Sequence, residues 1–287
     1  MHRRLATLAL SLAFAAATAT TALAQPDPLK FGVGLFQPDK EKNDATYRPL
    51  ADYLAKRLGR EVKLFTVDTW EGLAKSLANG ETDLSLMGPW GYVLANHEAG
   101  AQVVSTILYE GKPEYFAITI TNPKSGINTL EDLKGKTFAF GDKGSTSGYL
   151  IPLHYLMTKG IDPEKYFSKV IYTKHQAIEI SVTRGELDAG ADYNRNRDAM
   201  IAEGLIKPAE SKIIWTSAPL PNDAFAVSAA LYKDKVFVAR LQAALEDKAL
   251  TAPGLLPARY TGFVIKDNAY YKPIRDAGMA TGKLAPK

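Results

Sequence analysis

The stretch Thr137-Phe138-Ala139-Phe140-Gly141-Asp142-Lys143-Gly144-Ser145-Thr146-Ser147-Gly148-Tyr149-Leu150-Ile151-Pro152 sets the frame for the whole chain. Its first four residues form an apolar, strand-like run, and the apolar residues 153–157 beyond it read as helix. Three consecutive hydroxyl residues between glycines therefore sit at a strand-to-helix turn. Such a turn suits an oxyanion: glycine lets backbone N–H groups come close, hydroxyls donate, and the helix start carries roughly half a positive charge. Ser and Thr are equally the usual helix caps, so the turn alone leaves capping and anion binding as alternatives.

Outward from this turn, strands and helices alternate in two series. Before it come strand-like runs at 29–35, 61–67 and 83–87, with helical spacing at 47–58, 69–78 and 89–97 and a loop over 37–43. Two more extended runs, 103–109 and 115–121, close the first series. A turn cluster, Asn122-Pro123-Lys124-Ser125-Gly126, precedes the second series, which holds the serine turn, a helix over 147–159, a helix from 176 to 184, strands at 170–172, 187–191 and 212–216, and a helix over 194–203. Pro219-Leu220-Pro221-Asn222-Asp223 is a second break, followed by a strand at 225–227 and helical segments at 233–246 and 268–279. Alternating units of this length predict an α/β fold with mostly parallel sheets and ligands at the strands' carboxyl ends. One series interrupted by another predicts two lobes, residues 25–121 with 224–287 and residues 122–223, joined by two crossings around a hinge cleft.

The N-terminus reads as a leader. Arg3 and Arg4 precede an apolar run ending in small residues and Ala22-Leu23-Ala24, which predicts a secretory signal peptide over 1–24 cleaved after Ala24. Its apolar core is shorter than a membrane span needs, and no later segment approaches that length, so no membrane insertion of the mature chain is expected. The chain has no cysteine, which excludes disulfides, thiolate metal sites and thiol nucleophiles. An exported, cysteine-free chain fits the bacterial periplasm. The formal charge of +4 falls to about +2 without the leader, and Lys and Arg are spread along the chain, which argues against a nucleic-acid partner. With four histidines and no cysteine, neither a metal nor another cofactor is expected, and the mature chain is expected to be a monomer.

Four motifs, taken in order, carry a resemblance. Thr129-Leu130-Glu131-Asp132-Leu133-Lys134-Gly135-Lys136 resembles the segment that opens the second lobe of type II periplasmic binding proteins. Gly88-Pro89-Trp90-Gly91-Tyr92, Ser145-Thr146-Ser147-Gly148 and Pro221-Asn222-Asp223 together resemble the phosphonate, phosphite and hypophosphite branch of that family. The resemblance implies a periplasmic component of an ABC importer that captures a small phosphorus oxyanion by cleft closure and delivers it to a membrane permease. Phosphite is the expected ligand, with hypophosphite or methylphosphonate as alternatives.

By that resemblance Ser145, Thr146 and Ser147 donate to the ligand's oxygens, Tyr92 donates from the opposite lobe, and His175 and Asp223 complete the site. Asp223 would accept from a protonated ligand oxygen and reject fully deprotonated anions by like charge. Trp90 is expected to wall the pocket with its indole face and tune selectivity. Asp192, Tyr193 and Arg195 are expected behind these residues. Binders of aminoalkylphosphonates carry a carboxylate where Arg195 stands, which disfavours an amine-bearing ligand here. A hydrolase is the competing class. It lacks a Gly-x-Ser-x-Gly elbow and would need His175 within hydrogen-bond reach of a serine oxygen.

Overall fold

Leu29, Phe31 and Val33 are fully buried, and their strand becomes an inner member of a six-stranded sheet. The computed structural model describes residues 27–37 and 39–286, so the expected leader lies outside the described residues. In chain order the strands are β1 (Leu29–Gly34), β2 (Val62–Val67), β3 (Leu84–Met87), β4 (Gln102–Tyr109), β5 (Glu114–Tyr115) and β6 (Ala117–Thr121). They continue as β7 (Thr137–Phe140), β8 (Lys169–Tyr172), β9 (Ala189–Tyr193), β10 (Lys212–Thr216), β11 (Leu220–Pro221), β12 (Ala224–Val227) and β13 (Tyr260–Val264).

The first sheet has the order β13-β4-β12-β3-β1-β2 and the second β10-β6-β9-β7-β8. β1 is parallel to β2 and β3, and β7 is parallel to β8 and β9, as alternating βα units require. β12, β4 and β13 add antiparallel partners to the first sheet. β6 and β10 add theirs to the second.

Membership of β6 corrects the expected boundary near residue 122. Ala117–Thr121 pairs along its length with β9 and belongs to the second sheet, so the chain crosses earlier, through residues 110–116. Asn122-Pro123-Lys124-Ser125-Gly126 is a turn at the far end of that strand, within the second lobe. The outgoing and returning crossings pair with each other as β5 and β11, Leu220 opposite Tyr115 and Pro221 opposite Glu114. This short ribbon joins the two lobes.

A second correction concerns residues 37–43. The first helix starts at Lys40, not near 47, because Asp39 caps it by accepting from the Lys42 N–H. Asn43 is thereby buried, donating to the Gly34 carbonyl and to Thr66. Gly59, at φ 63°, ends this helix in the left-handed conformation that glycine adopts freely.

Two apolar clusters hold the first lobe. One packs β1 and its neighbours against helices Lys40–Leu58 and Lys235–Leu245. The other reaches across the lobe boundary, joining Leu73, Trp90, Tyr92, Tyr271 and Ile274 to Leu150 and Ile151 of the second lobe. Helix Pro89–Ala99 and the C-terminal helix Lys272–Ala280 thus brace the segment that follows the serine turn. No described helix is long and apolar enough to cross a membrane.

Candidate functional site

The serine turn is where the two lobes meet. Ser145, extended at φ −77° and ψ 133°, caps the turn by accepting from the Gly148 N–H at 3.0 Å. Thr146–Leu150 winds as one wide π-helical turn before the α-helix Ile151–Thr158, so the regular helix starts later than 147. A wide turn opens the ring of N–H groups at a helix start, where the first donors have no intrahelical partner. Glycine is required at 148: a Cβ there would sit 2.7 Å from the His175 ring and 2.9 Å from the Gly141 backbone.

A cavity of about 30 Å³ lies at this turn, lined by Gly144, Ser145, Thr146, Ser147 and His175 from the second lobe. Phe36, Trp70, Gly88 and Asp223 approach from the first, and Tyr115 comes from the β5–β11 ribbon. Tyr193 and Arg195, at the end of β9 and the start of helix Asn194–Ala202, complete the lining. A wider mouth of about 390 Å³ continues outward and shares Phe36, Trp70, His175 and Tyr193 with the cavity.

The structure brings together Ser145, Thr146, Ser147, His175 and Asp223 as the sequence leads one to expect, and moves Tyr193 and Arg195 from behind the site into its wall. Arg195 is buried, reaches Asp223 at 3.2 Å and Asn222 at 2.6 Å, and lies over the rings of Tyr115, Tyr193, Tyr109 and Tyr260. Asp223 is therefore a paired carboxylate. A formal positive charge therefore lines the cavity beside the hydroxyls of the serine turn, with its carboxylate partner across from it.

Trp90 and Tyr92 are the misplaced expectations. Trp90 points away from the cavity: its ring packs where a Cβ on Gly278 would lie, and its indole N–H donates to the Lys143 carbonyl at 3.3 Å. Its backbone N–H donates to Thr146 Oγ1 at 2.8 Å, so the residue fastens one lobe to the other. Tyr92 is fully buried, stacks edge-on with Tyr271 and donates to Asn268 at 3.0 Å. Beside Tyr193, Tyr115 enters the cavity, its hydroxyl lying against those of Thr146 and Ser147. Burial pushes its ionisation far above the ordinary phenol value, so it stays a donor. Sequence reasoning missed it because Tyr115 reads as the first residue of one extended run over 115–121, which the structure divides into two strands belonging to different sheets.

Behind the turn lies an ordered polar relay. Ser145 Oγ is 3.1 Å from His175 Nε2, and His175 Nδ1 is 2.7 Å from Asp192 Oδ1. Asn196 donates to the other Asp192 oxygen at 2.9 Å. Burial lowers the His175 pKa to about 4 and raises that of Asp192 to about 7. Burial, with Asp192 alongside, raises that of Glu179 to about 9. His175 is thus neutral at pH 7, and Glu179 is a protonated acid.

A family model described as "ABC transporter, phosphonate, periplasmic substrate-binding protein" matches residues 35–271. The chain is 27% identical over 226 residues to the phosphonates-binding periplasmic protein of Escherichia coli K12, covering 76% of this chain and 67% of that one. It is 28% identical over 252 residues to the phosphate-import protein PhnD of Mycolicibacterium smegmatis, covering 80% and 78%. A crystal structure of a binding-protein component of an ABC phosphonate transporter from Pseudomonas aeruginosa superposes with a TM-score of 0.79 at 22% identity, covering 90% of this chain and 88% of that one. The two-lobed architecture is that of type II periplasmic binding proteins.

Proposed function

This chain belongs to the family of periplasmic substrate-binding proteins of phosphonate ABC transporters, and from that premise we propose that it captures a small phosphorus oxyanion, phosphite first, between its lobes and delivers it to the transporter's membrane permease. The observation that carries the reading is the size and lining of the cavity. At about 30 Å³ it offers room for two or three water-sized groups, each needing ~10–15 Å³. A ligand of a few heavy atoms fits, and a long organic substituent would have to leave through the mouth.

The donors suit an oxyanion: the open N–H groups of the serine turn, the hydroxyls of Thr146, Ser147 and Tyr115, and the Arg195 guanidinium. Arg195 opposes a ligand ammonium at the same wall, which favours phosphite, hypophosphite or methylphosphonate over aminoalkylphosphonates. Ligand residues come from both lobes, so an anion in the cavity stabilises the closed arrangement over the open one by contacts that only closure supplies. Calorimetry of phosphite, hypophosphite, methylphosphonate, 2-aminoethylphosphonate and phosphate against one preparation tests this. Tight phosphite binding with weak 2-aminoethylphosphonate binding is expected, and a preference for the amine-bearing ligand would overturn it.

A second reading rests on the Ser145–His175 distance of 3.1 Å, which meets the geometric demand of a hydrolase relay. The Ser145 oxygen is held by the Gly148 N–H as a helix cap, and that arrangement favours binding. Phosphonate-ester turnover lost in Ser145→Ala would reinstate the enzyme.

A further inference from the structure

Ser145 is the one cavity hydroxyl whose proton is governed from behind. Its oxygen already accepts from the Gly148 N–H. What it offers the cavity therefore depends on which His175 nitrogen carries the proton. If Nδ1 is protonated, Nε2 is an acceptor, the Ser145 proton goes to it, and a serine lone pair faces the cavity. If Nε2 is protonated, it donates to Ser145 and the serine proton turns toward the ligand.

Asp192 decides between these states. One of its oxygens accepts from Asn196 at 2.9 Å, and the adjacent Tyr193 backbone N–H favours its ionised form. A carboxylate so held takes a further donor at Oδ1, which lies 2.7 Å from His175 Nδ1. We infer that Asp192 is a positioning residue that fixes His175 as the Nδ1–H tautomer, so that Ser145 presents an acceptor to the cavity and the site takes its oxyanion with one oxygen still protonated.

The surrounding charges agree. Helix His175–Thr183 places Glu179 against Asp192, and of these two buried acids Glu179 holds its proton more tightly, so Asp192 is the first to become the carboxylate, above about pH 7. Arg197, from helix Asn194–Ala202, also favours ionised Asp192. Asp142 faces His175 from the loop before the serine turn, and Tyr193 packs edge-on against its ring at 4.7 Å. Across the cavity Asp223 is a second acceptor and Arg195 its cation. Two acceptors among many donors match a hydrogen-bearing anion such as HPO₃H⁻, and leave an anion with no O–H facing two unpaired oxygens.

The inference rests on the phosphorus-oxyanion reading for its ligand but not for its relay, and the experiment separates the two. Nitrogen-15 NMR of the ligand-free protein reads the tautomer directly: a protonated Nδ1 and bare Nε2 are expected at about pH 8, above the Asp192 pKa of about 7, and the reverse overturns the inference whatever the ligand. Calorimetry then compares phosphite, which keeps an O–H as a monoanion, with hypophosphite, which as an anion has none. The wild type should favour phosphite. In Asp192→Asn the amide oxygen must stay with Asn196, so its NH₂ faces Nδ1 and forces the proton to Nε2. The phosphite-to-hypophosphite affinity ratio should then fall about tenfold, the value of one hydrogen bond to a charged group. An unchanged ratio with both affinities lowered equally would make Asp192 merely structural. Failure of both anions to bind the wild type would instead sink the functional reading and leave the tautomer result standing.

Discussion

Arg195 Nη2 lies 3.2 Å from Asp223 Oδ2, and this buried pair spans the lobe boundary: the arginine starts a second-lobe helix and the aspartate precedes β12 of the first sheet. Removing one member leaves an uncompensated buried charge, which costs about 3–5 kcal/mol, whereas replacing both by apolar residues is close to neutral. Arg195→Met should lower unfolding stability by that order in urea titration, and Arg195→Met with Asp223→Leu should recover most of it. Oxyanion affinity should fall about a hundredfold in the single variant, which leaves a bare carboxylate facing the anion.

The proposed closure is expected to depend on a glycine. The Gly144 backbone lies against Trp70 and Glu71 of the opposite lobe, and a Cβ there would overlap the Glu71 backbone nitrogen. Because Gly144 is not held at positive φ, Gly144→Ala should fold with near-wild-type thermal stability yet fail to close. Solution scattering with saturating phosphite should show compaction of the wild type and none of the variant. A variant that compacts and binds normally would show that this contact does not limit closure.

Tyr115 should matter more to the ligand than Tyr92, whose hydroxyl is spent on Asn268. Tyr115→Phe removes one donor from the cavity and should weaken phosphite binding by about 1–3 kcal/mol. Tyr92→Phe should leave affinity within a few-fold and act on melting temperature instead. Titrating both variants side by side checks the assignment.

The buried acids give stability a defined pH dependence. Glu179 is raised from 4.5 to about 9, so its contribution is fully present below about pH 4.5 and is lost as pH rises toward 9, by up to about 1.4 kcal/mol per pH unit. Asp192, raised to about 7, acts with the same sign over a lower window. His175, lowered to about 4, acts oppositely: its contribution is present above about 6.5 and is lost as pH falls through 4. Glu179→Gln should therefore stabilise the protein at about pH 8.5 and change little at about pH 4.5. Melting curves at the two pH values test this, and an equal shift at both would place the effect in packing.

The serine turn was legible because its chemistry is local. Ser145 caps the turn it starts, and the glycines mark the close approaches that the His175 ring and the facing backbone impose. The interruption of one βα series by another was legible too, although β6 moved between lobes: an extended run records that it pairs, not with which sheet. Trp90 and Tyr92 were read on the wrong side for a related reason. Pro89, Trp90, Gly91, Tyr92 and Val93 are all buried, so the start of their helix has no exposed face to tell cavity from core.

The sequence by itself determined the two-series α/β architecture and the oxyanion-suited turn, and its resemblance to the family singled out His175 and Asp223. Only the tertiary structure decided that Arg195 and Tyr115 enter the cavity, that Trp90 fastens the lobes, and that Ser145, His175 and Asp192 form one relay. The physical reason is separation along the chain. Caps, turns and periodicities act over a few residues, whereas the wall of this cavity is set by how two sheets, joined through the β5–β11 ribbon, are laid against each other.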